Sequence, residues 1–231
     1  MYDELEDFPT MWRVSSVLLT LVLVVSCSDD GGEVDATVPP GKGAESALGA
    51  VDQLVDALRS GEFGEASHLA VPGQSALAAL AEGAGFAEVA DALRNGDEEV
   101  AANFWAGFAQ GAGSFLTGSI STAEGSSIER DGVTFTTIEV VPDDGVARTV
   151  LVRDADGFRI DLFASFGGGL ADKMIGPAER LLSTQTEDAR LILSELQGNV
   201  SSLLVATGLP GTSAEVSQLL TSLVEIITRL G

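Results

Sequence analysis

The sequence predicts an α+β fold, with N-terminal helices packed on an antiparallel β-meander and a C-terminal helical hairpin after it. Three observations carry this expectation. Between Ala44 and Phe108 apolar residues recur every three or four positions, the period of an amphipathic helix. From Ser126 to Ser165 the period falls to two, and turn chemistry interrupts it at Asp131-Gly132, Pro142-Asp143-Asp144-Gly145 and Ala155-Asp156-Gly157, the signature of successive hairpins. After Pro177 the helical period returns. Ahead of all three lies a segment with its own logic, so the chain divides into residues 1–26, 27–43, 44–176 and 177–231.

That first segment is Met11 to Cys27, MWRVSSVLLTLVLVVSC. A basic residue, Arg13, precedes an uninterrupted run of apolar and hydroxyl residues, and a small residue, Ser26, stands before Cys27. This is the layout of a secretory signal. The apolar core is about a dozen residues, short of the roughly 20 that a spanning helix needs. No charge falls between Arg13 and Asp29, so the run lacks the polar face of an ordinary core helix. Asp3, Glu4, Glu6 and Asp7 place negative charge where a signal carries positive, which points to Met11 as the true start. The ending Val24-Val25-Ser26-Cys27 resembles the lipobox of bacterial lipoproteins. That resemblance implies cleavage before Cys27, a diacylglycerol thioether on its sulfur, and a chain held on the extracytoplasmic side of the cell membrane by acyl groups such as palmitate. Two or more acyl chains anchor stably where one does not. Cys27 is the only cysteine, so no intramolecular disulfide competes for it.

Composition narrows the partners. The formal charge is -23, from 35 acidic residues against 12 Lys and Arg. Such a balance excludes nucleic acid, whose phosphates require clustered cations, and disfavours direct adhesion to anionic lipid. Membrane attachment is therefore expected through Cys27 alone. Ser28 to Gly43 is acidic, contains Gly and Pro and has no apolar period, as a flexible tether does.

The helical region opens with Val51, Leu54, Val55 and Leu58 on one face and Gly61 as its stop. Shorter helices follow over 62–70, 75–82 and 86–94, punctuated by Pro72, Gly83, Gly85 and Gly96. Asp97 is placed to cap the next one, on which Val100, Ala101, Phe104 and Phe108 align. Trp105 lies off that line, where it either walls a pocket or covers the core edge. In the meander, Phe158, Ile160 and Leu162 alternate with Arg159 and Asp161, which predicts one buried and one wet face. Gly167-Gly168-Gly169 is read as the end of the sheet. Pro177 suits the first turn of a helix with the stripe Leu182, Ala189, Ile192, Leu193, Leu196, Val200 and Leu203, in which Gly198 is a potential point of division. Thr212 with Glu215 has the spacing of a capping box for a last helix bearing Leu219, Leu220, Leu223, Val224, Ile226, Ile227 and Leu230. Ile226 and Leu230 broaden its stripe, so an apolar edge is expected there for a partner or a second copy.

Residues that carry chemistry are few. His68 is the sole histidine and has no second His or thiolate with which to bind zinc. Asp154-Ala155-Asp156-Gly157 lacks the downstream bidentate Glu of a calcium loop. The glycine triplet has no following Lys-Ser/Thr for a phosphate cradle, and neither G-x-S-x-G nor S-x-x-K occurs. Asn199-Val200-Ser201 matches a glycosylation sequon only by coincidence in a bacterial lipoprotein. No catalytic residue, metal or cofactor is assigned, and the chain is read as a non-enzyme. The meander ending in Asp156-Gly157-Phe158-Arg159-Ile160, behind the early helix Val51 to Leu58, resembles NTF2-like (cystatin-like) domains of exported lipoproteins. The resemblance implies helices on a curved sheet enclosing a cone-shaped pocket. Two functions remain: a non-catalytic binding or scaffold module engaging an envelope protein or small ligand, or a carrier of a lipid or other hydrophobic molecule. For the second, Trp105, Phe108, Phe135 and Phe158 are the expected ligand-binding residues. Periodicity alone leaves open whether these aromatics line a pocket or fill the core.

Overall fold

The structure, a computed structural model, describes residues 42–96, 98–143, 145–154 and 156–229. The signal segment, Cys27, the tether as far as residue 41, Asp97 and Leu230 lie outside the described residues. The architecture is α+β: N-terminal helices, a four-stranded antiparallel meander, then C-terminal helices packed together. The described residues belong to one compact unit, Val38–Gly231.

Helix α1, Ala47–Ser60, begins where the Ser46 hydroxyl accepts the Gly49 N–H and ends at Gly61 in the left-handed region, φ 74°. Its buried face is Val51, Leu54, Val55 and Leu58, as the spacing predicts. Helices α2 (Phe63–Leu69) and α3 (Gln74–Ala78) follow, with a 3-10 turn over Ala79–Glu82. In α4 (Phe86–Asn95) the Glu88 carboxylate reaches back to accept the Gly85 N–H. Helix α5 spans Glu98–Gly111, with a further 3-10 turn at Gly113–Phe115.

The strands are β1 (Ile120–Arg130), β2 (Val133–Pro142), β3 (Arg148–Asp154) and β4 (Phe158–Ile160), paired in sequence order. Asp131 and Gly132 both take positive φ, 52° and 78°, as a tight two-residue hairpin requires. Strand β1 starts earlier than its periodicity indicates, because a bulge between Glu124 and Ser127 shifts its register and hides the alternation. Both faces of β3 are covered: Val150, Leu151 and Val152 are all fully buried. One face joins α1 through Ile138, Val140, Val150, Val152 and Ile160. The other packs Phe135 and Leu151 against Ala164 and Val205.

The chain after β4 departs from expectation. Helix α6 spans Leu162–Ser183, so Leu162 and Phe163 are helical, the glycine triplet lies inside the helix, and Pro177 is an interior residue rather than a start. The boundary drawn between residues 176 and 177 therefore falls within one helix. Proline costs a helix interior about 3 kcal/mol and each glycine about 1. Burial of Phe163, Leu170, Met174 and Leu181, worth about 1.5–3 kcal/mol each, outweighs those local penalties. Three more helices complete the described C-terminal part, α7 (Glu187–Gly198), α8 (Val200–Thr207) and α9 (Ala214–Thr228), in place of a two-helix hairpin. The split after Gly198 is where glycine placed it. The cap of α9 is Ser213, whose hydroxyl accepts the Val216 N–H, while Thr212 donates to the Ala206 carbonyl. Ile226 is buried, not an exposed margin. Leu219 and Val224 are partly buried against the core. Among the described residues Val146 is the large apolar side chain that stands exposed, and no helix is long and apolar enough to cross a membrane.

Candidate functional site: an apolar cleft between α5, α6 and α9

A cavity of about 740 Å³ opens between α5, α6, the start of β3 and the turn joining α8 to α9. Its apolar walls come from Phe104, Phe108, Phe115, Phe166, Leu170, Leu209 and Val216. Phe108 and Phe166 face each other edge to face across the two helices, with ring centroids 5.0 Å apart, and both are half-buried.

Glycines give the cleft its width. Gly107 and Gly111 stand one turn apart on α5, and Gly169 on α6; all three line the cavity, and a Cβ on any of them would meet nothing within 4 Å. The adjacent Gly168 does the opposite work. A Cβ there would lie 2.8 Å from Val216 Cγ1, so its bare backbone is what lets α9 approach α6. The glycine triplet, read from sequence as a breaker, thus sets both the helix contact and the opening beside it.

The cleft's charged groups sit at its margins. Lys173 Nζ and Glu82 Oε1 are paired at 2.7 Å. Arg148, exposed at the start of β3, holds its guanidinium carbon 5.7 Å from the Phe115 ring centroid, within reach of a cation–π attraction.

The four aromatic residues proposed from sequence do not assemble into one site. Phe108 lines the cleft. Trp105 is completely buried, stacks edge to face on Phe104 and Phe108, and donates its indole N–H to Ser75 Oγ at 3.1 Å; it fills the core behind the cleft wall. Phe135 and Phe158 lie on opposite faces of the sheet. Phe135 pairs with Arg153, which pairs with Arg159, and Phe158 is the next residue along, pointing to the other side. Phe158 packs against the α1 core and Phe135 against Ala164 and Val205. The resemblance implied a pocket enclosed by helices and sheet, whereas this cavity touches the sheet only at the first residues of β3.

A second arrangement escaped sequence reading. Asp161, expected on a wet strand face, is fully buried. Its Oδ1 accepts the Ala164 N–H at 2.9 Å, capping α6, and the Gln74 amide at 3.1 Å; Oδ2 accepts the Ser202 hydroxyl at 2.7 Å. Gln74 also donates to Asn199 Oδ1 at 2.7 Å and accepts the Leu162 N–H at 2.7 Å. Asn199, the sequon residue, is therefore a buried structural group. Arg153 Nε stands 3.7 Å from Asp161 Oδ2, an ion pair beyond hydrogen-bond length. Arg159 is likewise buried and donates to the carbonyls of His68 and Ala70; burial lowers its pKa, and Asp156 opposes that shift. Both supposedly wet residues are covered: Arg159 of β4 by the α2–α3 connection, and Asp161, just past the strand, by α3, α6 and α8.

Chemically, the cleft offers an apolar surface with a cation at its rim. Among the described residues no group of three or more His, Cys, Asp or Glu is placed to hold a metal ion. Compared with protein-family models, curated proteins and solved structures, the chain matches none.

Proposed function

We propose that this chain is an exported lipoprotein, held to the cell membrane by acyl groups on Cys27, and that it acts as a non-catalytic binding module whose cleft receives an apolar molecule. The cleft carries the reading. Its volume of about 740 Å³ falls within the roughly 300–1,000 Å³ of small-molecule pockets, which are likewise apolar with a few polar groups. Half-buried Phe108 and Phe166 leave aromatic surface for an occupant to cover. Anchorage is supported by the Met11–Cys27 layout and the single cysteine. The charge of -23 favours attachment through lipid over attraction to anionic membrane.

Two experiments test the two halves. Cys27→Ala should move the chain from membrane to soluble fractions on immunoblot; undiminished membrane retention would defeat the anchor. Gly107→Leu adds a side chain at a cleft-lining position where a Cβ meets nothing within 4 Å. Native mass spectrometry of the full chain should show an apolar adduct that this variant loses, and equal adduct on both proteins would defeat the cleft.

A further inference from the structure

We infer that the cleft's occupant is a long-chain carboxylate, with Arg148 as the anchor of its head group. The inference rests on the binding reading above and goes beyond it by naming the ligand class. Its first support is charge. The chain has 35 acidic residues against 12 Lys and Arg, yet the charged residues lining the cleft are Arg148, Lys173 and Glu82, an inverted balance. Lys173 is neutralised by Glu82 at 2.7 Å. Arg148 is not: among the described residues its partner is the Phe115 ring, which attracts the guanidinium face and leaves the edge N–H groups to donate. One unopposed guanidinium matches one negative charge, and its planar fork fits a carboxylate bidentately.

The second support is shape. On α5 the lining positions Phe104, Gly107, Phe108 and Gly111 share one face, spaced three or four residues apart. The wall thus follows the helix for roughly 10 Å and continues through Ala112 to Phe115, where Arg148 sits. An elongated apolar wall with a cation at one end suits an extended alkyl chain with a terminal acid.

The test uses membranes isolated from cells producing the full chain, without ATP or coenzyme A, so that no probe is transferred to protein or lipid. Three photoactivatable probes of equal chain length are compared: hexadecanoate, hexadecanol and hexadecyl phosphate. Hexadecanoate should label peptides of α5 and α6 in the unmodified chain. Labelling should fall about tenfold or more in Arg148→Ala, the ratio that ~1.4 kcal/mol represents, with partial recovery in Arg148→Lys. Hexadecanol should label the unmodified chain and Arg148→Ala alike. Equal labelling of these two proteins by hexadecanoate would overturn the head-group assignment, and stronger labelling by the phosphate than by the acid would overturn the carboxylate. Gly169→Leu fills the same cleft from α6 and should abolish labelling by every probe; labelling of that variant at the unmodified level would overturn the cleft reading itself.

Discussion

Gln74 and Asp161 are 87 residues apart and meet with both side chains withdrawn from solvent, the amide Nε2 donating to the carboxylate Oδ1 across 3.1 Å. The same carboxylate caps α6 and accepts from Ser202, and the same amide reaches Asn199. Segments from α3, the β4–α6 junction, the α7–α8 junction and α8 are thereby tied at one buried point. In a low-dielectric interior such a network is strong when satisfied, and removing a member exposes the rest to the full desolvation penalty.

Asp161→Ala should therefore lower stability by about 3–5 kcal/mol, the usual effect of removing one partner from a buried charged cluster. Asp161→Asn, which retains an acceptor for the helix cap, should lose less. Urea denaturation followed by circular dichroism measures both; a loss under about 1 kcal/mol for the alanine variant would show that the network contributes little.

Neighbouring glycines on α6 should respond with opposite sign. Gly168→Ala drives a Cβ to within 2.8 Å of Val216 and should cost about 1–3 kcal/mol, as overpacking does. Gly169→Ala meets only open space and should gain about 0.5–1 kcal/mol from helix propensity. Thermal melts of the two variants that shift in the same direction would contradict this account of the α6–α9 contact.

Trp105 and Phe108 touch, with ring centroids 5.3 Å apart, but their roles differ. Trp105→Ala removes a fully buried side chain and should cost about 3–5 kcal/mol. Phe108→Ala, at a half-buried cleft wall, should cost clearly less while reducing the apolar adduct seen by native mass spectrometry. Equal destabilisation by the two would place Phe108 in the core rather than in the site.

Truncation after Gly176 should abolish folding. The cut ends α6 in mid-helix and removes Leu181, Leu196, Leu203, Leu220 and Leu223, which share one core with Val51 and Leu54 of α1. Loss of amide dispersion in an NMR spectrum is the expected result. A well-dispersed spectrum from residues before the cut would show the C-terminal helices to be an appendage.

Local chemistry is what the sequence by itself determined. The inward face of α1, its stop at Gly61, the Asp131-Gly132 hairpin and the division after Gly198 each depend on residues within a turn or two of one another. A repeat period or a φ preference records such features directly. Phe108 was legible as an aromatic on the apolar stripe of its helix, but its separation from Phe135 and Phe158 required the tertiary structure, in which cross-strand register assigns those two to opposite faces of the sheet. Only the tertiary structure decided that α6 passes through three successive glycines and Pro177. The helix persists because distant partners on α8 and α9 bury its face, and that burial exceeds the few kcal/mol by which the local residues oppose it. The same reason hid Asp161 and Arg148. Alternation placed Asp161 in water until α3 and α8 supplied its hydrogen-bond partners. Arg148 became a rim group only where the start of β3 met Phe115, in the turn after α5, and neither contact leaves a trace in the spacing of neighbouring residues.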